Sequence, residues 1–83
     1  MTFDRQAHSR PIFEIARDIS KFWPGLNYAA RPYWDAMTRL HSIDDEFLCE
    51  DAHDIILRFL SNAGTWRGDH ARRIKAELKN LIY

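Results

Sequence analysis

Cys49 and His53 stand four positions apart, Asp44 and Asp45 are adjacent, and Ser61, Asn62 and Thr65 crowd one connection. These are the residue types that could hold a metal, move a proton or attack a carbonyl. Each falls short of that chemistry on spacing. A structural zinc site needs four ligands at recognisable intervals and a catalytic one usually three. Here one Cys-x-x-x-His pair is followed only by scattered histidines, His8, His41 and His70. The acidic stretch lacks the Asp-x-Asp-x-Asp-Gly pattern and closing glutamate of a calcium loop. Two neighbouring aspartates at a helix start point in different directions and complement the helix dipole instead of sharing a proton. Ser61, Asn62 and Thr65 surround a turn, where such side chains bond to local backbone, and no Gly-x-Ser-x-Gly elbow accompanies them. The sequence therefore predicts a non-enzymatic protein with no metal and no cofactor.

The remaining chemistry is that of recognition. Arg72, Lys75 and Lys79 fall at i, i+3 and i+7, one continuous basic stripe along a predicted last helix, with Arg67 ahead of it and Arg58 and Arg73 able to extend it. Trp66 sits at the junction before that helix. A large aromatic there either locks the angle between two helices by packing or serves as an exposed anchor, since Trp and Arg are enriched among interface hot spots. The candidate interaction surface is thus Trp66, Arg67, Arg72, Lys75 and Lys79. Against it stands the plain reading of a solvated helix face.

Charge distribution sharpens that choice. The chain has 12 basic and 12 acidic residues and a formal net charge of zero, so global attraction to nucleic acid or an anionic membrane is not predicted. Locally the charge is uneven. Six acids (Asp44, Asp45, Glu46, Glu50, Asp51 and Asp54) occur with no Lys or Arg among them, while from Arg58 onward six bases face only Asp69 and Glu77. Acids at helix N-termini and bases on solvated faces account for this pattern; a bipolar docking surface is the sharper reading.

At 83 residues, 46% of them hydrophobic, the chain makes one domain with a small core. One cysteine excludes an intramolecular disulfide, the first residues carry no secretory h-region, and no run is apolar enough to span a bilayer. A cytoplasmic location without membrane contact is expected.

The elements that must position these side chains are helices. Residues 1–8 lack periodicity and read as a flexible N-terminal arm; residues 9–83 read as a single helical domain. Ser9 is a candidate N-cap with Pro11 in the first turn, and Ile12, Ile15, Ala16, Ile19, Phe22 and Trp23 form one stripe ended by Pro24 and by Gly25, a turn residue able to take positive φ. A second helix runs from Arg31 or Pro32 to about Leu40, burying Tyr33, Trp34, Met37 and Leu40. Trp34 is read as core, and at least one of Tyr28 and Tyr33 as half-exposed. Ser42 to Asp45 resembles a capping box, which predicts a short helical turn near residues 42–48. The third helix starts at Glu50 or Asp51 and places Ala52, Ile55, Ile56, Phe59, Leu60 and Ala63 on one face, with Gly64 as its C′ residue and Thr65 capping the next helix. The last helix spans about Arg67 to Leu81. The fold class is all-α: a compact bundle of four main helices, in which the last two either pack antiparallel or cross steeply as in a DNA-binding helix–turn–helix. The core is expected to contain Ile15, Ile19, Phe22, Trp34, Met37, Ile55, Phe59, Ile74 and Leu78.

Four segments also resemble a family of small all-helical proteins of unassigned activity encoded in bacteria, phages and other mobile elements. They are Ile15-Ala16-Arg17-Asp18-Ile19, Tyr28-Ala29-Ala30-Arg31-Pro32-Tyr33, Ser42-Ile43-Asp44-Asp45, and Phe59 to Gly68 with Ala71 to Leu78. The chain departs from the family's pattern between Glu46 and Glu50, where a glycine-bearing turn is usual. The resemblance implies a phage or mobile-element modulator of a host protein and transfers no site residue. The expected function is a protein-interaction module that docks on a larger protein or self-associates; the alternative is a helix–turn–helix-like nucleic-acid binder using the basic last helix.

Overall fold

The computed structural model describes residues 10–83, so the predicted arm and the Ser9 cap lie outside the described residues. Four helices, α1 (Ile12–Phe22), α2 (Arg31–Met37), α3 (Ala52–Ser61) and α4 (Asp69–Ile82), surround one apolar core. Between α2 and α3 lie two short strands, β1 (Glu46–Phe47) and β2 (Glu50–Asp51), paired antiparallel with Glu46 opposite Asp51 and Phe47 opposite Glu50. The molecule is therefore mostly helical but not purely all-α.

That hairpin replaces the helical turn expected near residues 42–48, and the hydrogen bonds explain why. Half of the capping box forms: the Asp45 carboxylate accepts the amides of Ser42 and His41 at 3.1 and 2.8 Å, while the Ser42 hydroxyl accepts the amide of Asp44 at 3.2 Å and not that of Asp45, which donates to the Ser42 carbonyl. It closes one turn and no more, because the Asp45 carbonyl takes the Ala52 amide at 2.9 Å instead of an amide one turn on. A single turn does not recover the cost of helix nucleation. The chain reverses at Leu48 and Cys49, both at positive φ (54° and 69°), the arrangement of a tight hairpin turn that normally recruits Asn-Gly.

Helix boundaries shift for similar reasons. The first amides of α1 need no side-chain cap: those of Ile12 and Phe13 donate to the His41 and Leu40 carbonyls at 3.0 and 2.9 Å, and Pro11 takes the N-cap position. Helix α2 stops at Met37 rather than Leu40, since the Arg39 and Leu40 amides reach back only three residues, to Ala36 and Met37. Helix α4 begins at Asp69, later than expected, behind Gly68 at φ 109°, a conformation open chiefly to glycine. Thr65 caps nothing. Gly25 and Gly64 do not use positive φ; Asn62 is the C-cap of α3 in place of a glycine-terminated end.

The core follows the predicted stripes. Ile15, Ile19, Met37, Ile55, Phe59, Ile74 and Leu78 are buried, whereas Phe22 and Trp34, expected inside, are only partly buried and pack on its edge. Trp34 sits there because its indole N–H donates to the Ala16 carbonyl, tying α2 to α1 at 2.8 Å. Tyr28 is almost fully exposed and Tyr33 half-buried.

Candidate functional site

The junction between α3 and α4 fixes everything on the last helix. Trp66 is 4% exposed and lies flat on Trp23, with ring centroids 5.2 Å apart and planes 4° apart, while Trp23 meets Phe59 edge-on at 6.2 Å. Its indole N–H donates to the Phe22 carbonyl at 3.3 Å, satisfying the C-terminal end of α1. The packing reading of Trp66 is the one realised. As a member of the candidate surface it contributes the position of its neighbours and almost no area of its own.

Those neighbours are cations of three kinds. Lys75 is half-buried: its stem covers the junction and its ammonium donates to the Trp66 carbonyl at 2.7 Å. Desolvation pushes its pKa below the ordinary lysine value, and the charges of Lys79 and Arg67 push it further in the same direction. Arg67 and Lys79 are exposed. Among the described residues no carboxylate comes within 4 Å of Arg67, Lys75 or Lys79. Arg72 differs from these three, because its guanidinium closes on Asp69 one turn earlier. The structure thus gathers Arg67, Lys75 and Lys79 into one unneutralised patch, leaves Arg72 at its margin in an ion pair, and puts Trp66 beneath.

The other predicted extensions point elsewhere. Arg58 pairs with Glu50 across the start of α3 at 3.4 Å. Arg73 lies 3.1 Å from His70 Nδ1 and 5.9 Å from the centre of the Phe22 ring, on which His70 stacks at 3.9 Å. Cys49 is exposed at the hairpin tip and His53 leans on Asp54 at 3.5 Å. Among the described residues no three His, Cys, Asp or Glu side chains gather as a metal set, and no helix is long and apolar enough to cross a membrane.

Two features escaped the sequence. Arg10 grips Glu77 of α4 through two bonds of 2.7 and 2.9 Å and Asp18 of α1 through a third of 2.7 Å, which raises its already high pKa. No local pattern announces it, because Glu77 lies 67 residues away. The second is an open depression of about 480 Å³ lined by Tyr28, Ala29, Arg31, Pro32, Trp34 and Asp35. Its aromatic members, Tyr28 and Trp34, stand on either side of Pro32 in the sequence, which carries no sign of their shared concavity.

Comparison with protein-family models, curated proteins and solved structures returns no match.

Proposed function

We propose that this protein is a non-enzymatic protein-interaction module that docks an acidic protein surface on the patch formed by Arg67, just ahead of α4, and by Lys75 and Lys79 on that helix. The observation that carries this reading is the gathering of three like charges, without a carboxylate partner among the described residues, on a rigid frame. Like charges held together disfavour the folded state, and a partner's carboxylates reverse the sign of that contribution. The resemblance noted in the sequence supports the narrower form of the proposal, a phage or mobile-element modulator of a host protein.

A second reading, nucleic-acid binding by α4 as in a helix–turn–helix protein, draws on the same stripe along the helix. It is weakened by how few of those cations are free to meet phosphates. Arg72, the first member of that stripe, is committed to Asp69, so only Lys75 and Lys79 of the stripe lack a carboxylate partner among the described residues. The two readings separate by titrating labelled duplex and single-stranded DNA, and an acidic polypeptide such as poly-L-glutamate, against the protein and its Arg67→Glu/Lys79→Glu variant. Docking on acidic protein predicts uptake of the polypeptide that the variant loses. Charge-dependent binding to duplex DNA, with a log–log salt slope of about −0.9 per phosphate contacted, would transfer the assignment to nucleic acid.

A further inference from the structure

We infer that the surface received by the basic face of α4 is the acidic hairpin region of a second copy of this chain, an inference that rests on the docking role proposed for that face. The hairpin is the complement of the patch in charge and in lack of partners. Of its six acids, three are engaged inside the molecule: Asp45 holds the amides of His41 and Ser42, Glu50 pairs with Arg58, and Asp54 meets His53. The other three, Asp44, Glu46 and Asp51, are exposed and have no cation within 4 Å among the described residues.

The placement of those three carboxylates is itself unfavourable in an isolated molecule. Glu46 and Asp51 are direct cross-strand neighbours, and like charges directly opposite one another weaken a strand pair. The strand pair is only two residues long on each side, so it has little other pairing to offset that repulsion. The chain therefore carries two surfaces without oppositely charged partners among the described residues, three anions near the start of α3 and three cations at Arg67 and on α4, each self-repelling and each matched by the other. Asp44, Glu46 and Asp51 of one copy placed against Arg67, Lys75 and Lys79 of another relieve both repulsions in one contact. Because the two surfaces differ, the contact is heterologous: two copies close a pair only by making it twice, and otherwise it continues into longer assemblies.

The association is electrostatic, so it is weak and sensitive to salt. Lengthening chains or dimers should be present by sedimentation velocity at ~10 mM salt and fall by at least about tenfold in association constant by ~100 mM, as the Debye length shrinks from ~30 to ~10 Å. A charge-swap pair makes the inference decisive. Asp44→Lys/Glu46→Lys has two basic surfaces and Arg67→Glu/Lys79→Glu two acidic ones; each alone should be monomeric, and their equimolar mixture should associate at least as strongly as the parent. Asp51 is left intact because it occupies the N-cap position of α3. Matching helical circular dichroism establishes that the variants fold, and the single changes Glu46→Lys and Lys79→Glu make the same crossed test if a double variant does not. A parent that is monomeric at low salt, or variants that associate alone, or a folded mixture that stays dissociated, overturns the inference. A monomeric protein that still takes up poly-L-glutamate through Arg67 and Lys79 refutes the second copy as occupant and leaves the docking face standing. Failure of both defeats the docking face as well.

Discussion

The two faces of the segment from Trp66 to Lys79 are built on opposite terms. On the inner side, Trp66 stacks on Trp23, its N–H finds a carbonyl, and Ile74 and Leu78 are fully buried. On the outer side, Arg67, Lys75 and Lys79 stand together and lack any carboxylate within 4 Å among the described residues. One face satisfies its groups within the chain and the other leaves them to something outside it. Apolar burial and satisfied hydrogen bonds stabilise a domain this small, so the inner face should dominate stability and the outer face should barely register. Substitutions on each side test that division.

The largest effect is expected at Phe59, which is fully buried and touched edge-on by Trp23. Phe59→Ala should lower unfolding free energy by about 3–5 kcal/mol, enough to unfold so small a domain outright. Urea denaturation followed by circular dichroism reads this directly, and a variant melting within a few degrees of the parent would break the account of the inner face. Trp66→Phe is milder. It keeps an aromatic ring in the junction but removes the N–H donated to Phe22 and part of the stack on Trp23, a loss of about 1–2 kcal/mol by the same measurement. An unchanged midpoint would mean that the junction does not hold the helices.

These inner residues are also the ones the sequence announces. Apolar positions recurring at 3.6-residue spacing identify Ile15, Ile19, Ile55, Phe59, Ile74 and Leu78 because burial is what imposes that period. Phe22 and Trp34 carry the same signal yet lie at the rim, since periodicity reports which way a side chain faces and not how far the neighbouring helix reaches over it. The short sheet is hidden behind half of a capping box: the Asp45 carboxylate bonds back to the Ser42 amide as that pattern requires, but the Asp45 carbonyl takes the amide of Ala52, seven residues on, and the chain turns from helix to hairpin. Nor could glycine content guide the turns here. The reversal falls on Leu48 and Cys49, whereas Gly25 and Gly64 make no use of their freedom. At the candidate site, spacing identified the basic stripe, but which members are free and which are engaged depends on Asp69 and on a backbone carbonyl that Lys75 reaches across the junction.

Arg10 sharpens the comparison from the side of paired charge. Its guanidinium fastens the segment before α1 to α1 and α4 through Asp18 and Glu77, with all three side chains about 30% exposed (28%, 28% and 31%). Arg10→Met keeps the apolar stem and removes the charge-assisted bonds, so about 1–2 kcal/mol should be lost at low salt. The loss should shrink as salt is added, because screening weakens in the parent the attraction that the variant lacks. A variant as stable as the parent at low salt would place Arg10 with the ornamental surface pairs.

Lys75 should give the smallest effect and the opposite sign of salt response. Lys75→Met retains the stem over Trp66, loses the bond to its carbonyl and relieves both the partial desolvation of an ammonium and its crowding by Lys79 and Arg67. These changes offset one another, and stability should move by no more than about 0.5 kcal/mol. The informative quantity is how that difference varies. Added salt screens repulsion among the three cations, so the parent should gain stability relative to the variant as ionic strength rises, the reverse of the trend at Arg10. The pH dependence has its origin in the same lowered pKa. With the folded-state value below the ordinary 10.5, the unfolded chain binds more protons at this position between the two values, and the parent's stability relative to Lys75→Met rises with pH through that window. Urea midpoints of parent and variant compared between neutral and alkaline pH measure the slope difference. A flat difference, or one falling with pH, would mean that Lys75 is an ordinary solvated lysine and that the outer face of α4 carries no stored repulsion for a partner to relieve.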